Sequence, residues 1–119
     1  MLHKRLPNLT RAERAELLAC CQRTPDGCLM YYSPHSGRPN IFRVRGIAYQ
    51  ATRLMWSEAN VRSLDLQARL DMSEVIHIAE CPHVGGEHHS EPLCVEPAHL
   101  MLGTIYERMR EGRIRQEAL

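Results

Sequence analysis

The chain has 119 residues, with 15 Lys and Arg against 14 Asp and Glu and a net charge of +1. That length supports one compact domain rather than two, and the balanced charge excludes a uniformly basic surface, leaving only local basic faces. Five cysteines cannot complete a disulfide framework, one Trp and one Phe leave a thin aromatic core, and no segment is apolar over transmembrane length.

These limits suit a reducing, cytoplasmic compartment, where cysteines serve more often as metal ligands than as crosslinks, and no membrane partner is expected. Met1 to Pro7 carries His3, Lys4 and Arg5 with no apolar run behind them, so no leader is read there. A small domain with a thin core gains from a staple, and a structural metal is one.

In chain order, residues 1–9 read as a basic, flexible arm. Thr10-x-x-Glu13 is a capping box. It opens an amphipathic helix running to Cys21 or Gln22, with Leu17, Leu18 and Cys21 inward. Cys20 and Cys21 read as packing residues. This arm and helix, 1–24, precede a domain over 25–119. Thr24-Pro25-Asp26-Gly27 is a turn, and Cys28 to Tyr32 a strand. Residues 33–40 form a loop. Ile41 to Tyr49 turns at Gly46 and reads as a hairpin that pairs with the first strand. Residues 50–60 read as a helix with Leu54, Met55 and Ala59 on one face. Ser63 caps a second helix reaching Met72. Val75 to Ala79 is a short β-branched strand. Residues 80–98 form a loop rich in Cys, His, Pro and Gly, with a return strand near 93–95. Thr104-x-x-Glu107 is a second capping box, opening a helix from 105 to about 117.

The chemistry concentrates in Cys94-Val95-Glu96-Pro97-Ala98-His99-Leu100. A thiol and an imidazole stand five residues apart around a proline-stiffened turn, and both suit zinc. Taken alone, Cys94 reads as a small buried residue and His99 as a surface histidine; the surrounding residues change that reading. Thiols at Cys28 and Cys81 make four ligands available. Two groups of arginines stand out, at 38, 43, 45 and 53 and at 108, 110, 113 and 115. They read as ordinary solvated side chains or as phosphate contacts.

Several stretches together resemble a family. They are Gly27-Cys28, the hairpin ending Arg43-Val44-Arg45-Gly46, then Ala51-Thr52-Arg53-Leu54-Met55-Trp56, and finally Pro92-Leu93-Cys94-Val95-Glu96-Pro97-Ala98-His99-Leu100 with Leu102-Gly103-Thr104. Over roughly residues 25 to 115 the chain resembles the zinc-containing HNH, or His-Me finger, endonucleases of phage or bacterial type. Thr52 stands where that family usually has a histidine. The resemblance implies an α+β fold: a small zinc-stabilised ββα-metal finger with an N-terminal β-hairpin and flanking helices. It implies structural zinc on Cys28, Cys81, Cys94 and His99, and His77 as the general base of phosphodiester hydrolysis. It implies a catalytic Mg²⁺ and a DNA partner whose backbone Arg43, Arg45 and Arg53 would hold. A homodimer would suit paired cuts in a duplex.

The spacing departs from the family in two places. Cys81 lies four residues after His77 rather than two, and twelve residues separate Cys81 from Cys94 where four are usual. An insertion over Pro82 to Glu91 accounts for the longer gap, and loops tolerate this cheaply. A gap-free register instead makes His89 the ligand and puts Glu87, beside His88, at the catalytic position. His83, His88 and His89 otherwise read as exposed loop residues or a second metal site. At the family's metal-ligating asparagine stands Arg108, which has no lone pair to give Mg²⁺. Arg108 would then grip phosphate directly. Alternatively, the fold has kept zinc and lost cleavage, leaving a nucleic-acid-binding or protein-binding module.

Overall fold

Side-chain caps start α-helices at Thr10, Ser63 and Thr104. The computed structural model describes residues 5–34, 38–87 and 91–118. Helix α1 (Arg11–Ala19) starts at Thr10, whose hydroxyl accepts from the Glu13 N–H while the Glu13 carboxylate accepts from the Thr10 N–H. It ends earlier than expected. Cys20 is its C-cap, and Cys21–Arg23 is already strand β1. The reason lies outside the helix: β1 pairs antiparallel with β2 (Leu29–Tyr31), setting Cys21 opposite Tyr31 across the Thr24–Gly27 turn. Gly27 supplies the left-handed φ of 91° that the turn needs. Leu17 is fully buried, Leu18 is 47% exposed rather than inward, and Cys21 reaches the core from the strand.

The hairpin of β3 (Ile41–Val44) and β4 (Ile47–Gln50) pairs with itself, not with the first strand as expected. Arg45 and Gly46, at φ 50° and 83°, make its two-residue turn. The link to β2 is a side chain, the Tyr31 hydroxyl donating to the Ile41 carbonyl. Helices α2 (Ala51–Asn60) and α3 (Leu64–Asp71) follow, the second capped by Ser63. Leu54 and Met55 are buried, whereas Ala59 is exposed.

Strand β5 (Glu74–His77) stops before Ala79, because Ile78 to Cys81 turns, with the Cys81 N–H on the Ile78 carbonyl at 3.1 Å. The return strand appears near the expected place, as β6 (Leu93–Cys94), but it completes the β1–β2–β6 sheet with Cys94 opposite Met30. The partner of β5 is β7 (Leu100–Gly103), which pairs His77 with Leu100 and Glu74 with Gly103. A 3-10 turn, Pro97–His99, joins β6 to β7. Helix α4 (Ile105–Glu117) begins at the second capping box. The ββα unit is therefore β5, β7 and α4.

Three buried clusters hold these parts together. One gathers Leu17, Tyr31, Phe42, Leu54 and Val95, so α1 shares a core with the later elements. Another joins Trp56, Leu70 and Leu100, with Val75 and Leu102 against it. The third is small and consists of Met30 and the cysteines at 28, 81 and 94. Leu9 is buried and Leu6 packs on the core, so part of the expected arm is anchored; residues 1–4 lie outside the described residues. No described helix is long and apolar enough to cross a membrane.

The loop that carries Cys81 toward Cys94 is pinned at Gly85, which bridges Leu93. A Cβ there would stand 2.0 Å from the Pro92 carbonyl oxygen, at a φ of 71°. Gly85→Ala is expected to lose more than about 2 kcal/mol from steric overlap and left-handed strain. Urea unfolding of the zinc-loaded protein checks this.

Candidate functional site

Four side chains from distant parts of the chain converge. Cys28 stands just before β2, Cys81 ends the turn after β5, Cys94 lies in β6 and His99 closes the 3-10 turn. Their ligand atoms all lie within 4.8 Å of one another, with the three cysteines buried and His99 half-buried. The Sγ atoms of Cys28 and Cys81 are 3.9 Å apart. His99 Nδ1 lies 3.6 Å from Cys28 Sγ and 3.5 Å from Cys94 Sγ. A tetrahedron with ordinary zinc bond lengths has S···S edges of about 3.8 Å and S···N edges of about 3.6 Å. The four residues can hold a metal ion, and both the donor set and the spacing are consistent with zinc.

The three sulfurs are not equivalent. Cys81 donates to the Cys94 sulfur, which pushes Cys94 down to about 4 and Cys81 up; burial pushes Cys28 up. A cation bound among them would take the protons from Cys81 and Cys28, and its charge would then balance the thiolates in this apolar cluster. The competing ligand His89, with His88 beside it, lies outside the described residues. His83 pairs with Asp26 at 2.6 Å.

His77 sits at the edge of this centre. Its Nε2 donates to the Cys94 carbonyl at 2.7 Å, which fixes the neutral tautomer with the lone pair on Nδ1. Burial pushes the imidazole below its ordinary range, against the pull of that carbonyl. Among the described residues Nδ1 has no partner. The buried, unpartnered side-chain atoms are Arg53 Nε and Arg115 Nε, so Nδ1 is not sealed off.

His77 does not face the start of α4. Along β5, side chains alternate between faces. Ile76 lies where a Cβ on Gly103 would meet it beside Glu107, on the α4 side, while Val75 packs toward Trp56 and Leu70. His77 shares the Val75 side. Arg108 instead pairs with Glu74 at 3.1 Å, about 10 Å from His77 along the strand. Arg108, Glu74, Thr104 and Arg53 line a cleft of about 620 Å³, and His77 is not among its lining residues. His77 and Arg108 are thus not brought together.

The other arginines divide. Arg43 is exposed on β3 and has no ion pair among the described residues. Arg45 is exposed but tied to Glu13 and to the Asn8 carbonyl. Arg53, expected on phosphate, is only 5% exposed and donates to the Leu70 and Ser73 carbonyls. It holds the end of α3 onto α2, and burial pushes its guanidinium down. Thr52, at the family's histidine position, is buried and exchanges two hydrogen bonds with Asn40.

Sequence reasoning missed two α4 side chains. Glu111 Oε1 accepts from the Ala79 N–H at 3.1 Å, and Arg115 donates to the His77 and Ile78 carbonyls at 3.4 and 2.7 Å. Their i,i+4 spacing put them on one helix face, but nothing local showed that the face meets the turn after His77. No family model, no curated protein and no solved structure matches this chain.

Proposed function

We propose that the chain is a DNA endonuclease built on a zinc-stabilised His-Me finger, with His77 as the general base. The observation that carries this is the His77 ring: Nε2 is locked on the Cys94 carbonyl and the Nδ1 lone pair is left open. In the reaction Nδ1 takes a proton from water, the hydroxide oxygen bonds to phosphorus, and the P–O bond to the leaving sugar oxygen breaks, that oxygen taking a proton from solvent and leaving as the alcohol. Cys28, Cys81, Cys94 and His99 would hold the structural zinc, which when bound would fix β6 and so the carbonyl that aims the ring.

The residues at the start of α4 do not fit a catalytic Mg²⁺. Arg108 offers no lone pair, and Glu107 is occupied by the Thr104 capping box. Arg108 serves instead as a phosphate contact on the strand passing α4, with exposed Arg43 holding the backbone beyond it. Arg108→Asn is expected to lower plasmid nicking about tenfold by removing a charge-assisted contact. Nicking time courses in Mg²⁺ or Mn²⁺ check this; higher activity in the variant would mean that an oxygen ligand was what the site lacked.

One observation favours a second reading. Arg108 is paired with Glu74 and stands apart from His77, as it would in a module that binds DNA without cutting it. Absence of nicking by wild type and by Arg108→Asn in either metal, with DNA binding retained at low salt, would establish that reading. Absence of binding as well would leave a protein partner.

A further inference from the structure

We infer that Arg115 and Glu111 of α4 are positioning residues for the His77 imidazole, acting through the main chain of residues 77–79. This rests on reading His77 as the general base. The extra spacing between His77 and Cys81 is folded into the Ile78–Cys81 turn, and that turn is what α4 grips. Arg115 sends one terminal nitrogen to two successive carbonyls, of His77 and Ile78, and Glu111 takes the next N–H, of Ala79. The Glu111 side chain is mostly buried and Arg115 Nε is buried without a partner, so the clamp is held away from water.

The geometry links the clamp to the ring. A residue whose carbonyl is held toward α4 has little freedom to swing its side chain, and the His77 side chain is directed to the opposite side, onto Cys94. The ring therefore rests on two supports, the α4 clamp under its main chain and the Cys94 carbonyl at Nε2. Release of the clamp lets the turn pivot about Cys81 at its far end, and the Nε2 bond loosens while Cys28, Cys94 and His99 keep their places on other elements. The guanidinium suits this task because its planar fork fixes direction as well as distance.

The test is the long-range ¹⁵N–¹H spectrum of the His77 ring in the zinc-loaded full chain. Wild type is expected to show one neutral tautomer, protonated at Nε2. Arg115→Ala is expected to replace it with averaged nitrogen shifts at unchanged zinc content. Arg115→Lys is expected to restore the single tautomer in part, and Glu111→Gln to keep it, since the amide oxygen still accepts from Ala79. An unchanged tautomer in Arg115→Ala overturns the inference. So does loss of zinc in both Arg115 variants, which would make Arg115 a strut of the whole centre. Where wild type nicks DNA, Arg115→Ala is expected to lower kcat by up to about 10²-fold with KM unchanged. A wild type that does not cut leaves the ring spectrum as informative as before, so the two ideas fail separately.

Discussion

Protein purified without added zinc is expected to carry one equivalent per chain, and Cys28→Ser or Cys94→Ser to carry less than a tenth of that and to lose cooperative unfolding. The effect is expected to be large because a bound ion would do the work of a core. Around the ligands the packing consists of Met30 and the three cysteines themselves, with only Ile78 and Val84 against them. Structural zinc contributes about 10–16 kcal/mol of apparent binding energy, against a total stability of about 5–15 kcal/mol for an ordinary domain. Metal analysis and thermal melts before and after chelation provide the check. Under half an equivalent, with an unchanged melt, would remove the zinc assignment. Cys81→Ser should lose the ion while His89→Ala keeps it; the reverse result would establish the gap-free register.

His77→Ala is expected to reduce DNA cleavage by about 10²–10⁴-fold, the usual contribution of a general base. It should keep its zinc and its fold, because all four ligands remain. A modest cost, about 1–3 kcal/mol, is expected from leaving the Cys94 carbonyl without its donor. His77→Gln separates the two roles. Its amide nitrogen can donate to that carbonyl but cannot take a proton from water, so it should recover the stability and not the rate. Cleavage by His77→Gln within tenfold of wild type would refute the general-base role. The readouts are single-turnover nicking and urea unfolding on the same preparations.

What was legible in the sequence was what a few neighbouring residues decide. Thr10 with Glu13, Ser63, and Thr104 with Glu107 start their helices through bonds three residues long, so reading them needs no knowledge of the fold. The metal ligands were legible for a different reason: few residue types bind zinc, and Cys94 with His99 announced the site. Strand pairing was not legible. Cys21–Arg23 looked like the last turn of a helix because its partner, Leu29–Tyr31, enters only in three dimensions. Leu93–Cys94 reads as a strand returning along 75–79, yet its partner is β2, and Leu100–Gly103, four residues between a 3-10 turn and a helix cap, reads as motif although it is the strand that pairs with β5. Arg53 misled for the same reason. A guanidinium in a basic stretch looks available until the carbonyls of Leu70 and Ser73 are folded over it.

The spread of the four ligands along the chain also sets a sequence in time. Cys94 and His99 are five residues apart, already joined by a stiff turn, whereas Cys28 is 53 residues from Cys81. Closing the longer loop costs about 2 kcal/mol more in chain entropy. A metal ion meeting the unfolded chain would therefore be captured first by the Cys94–His99 pair. Cys28 is recruited late, once the helices and hairpin between have shortened the path. The centre would then act as a latch that shuts on a nearly finished fold, with zinc supplied too early held loosely until the rest of the chain arrives.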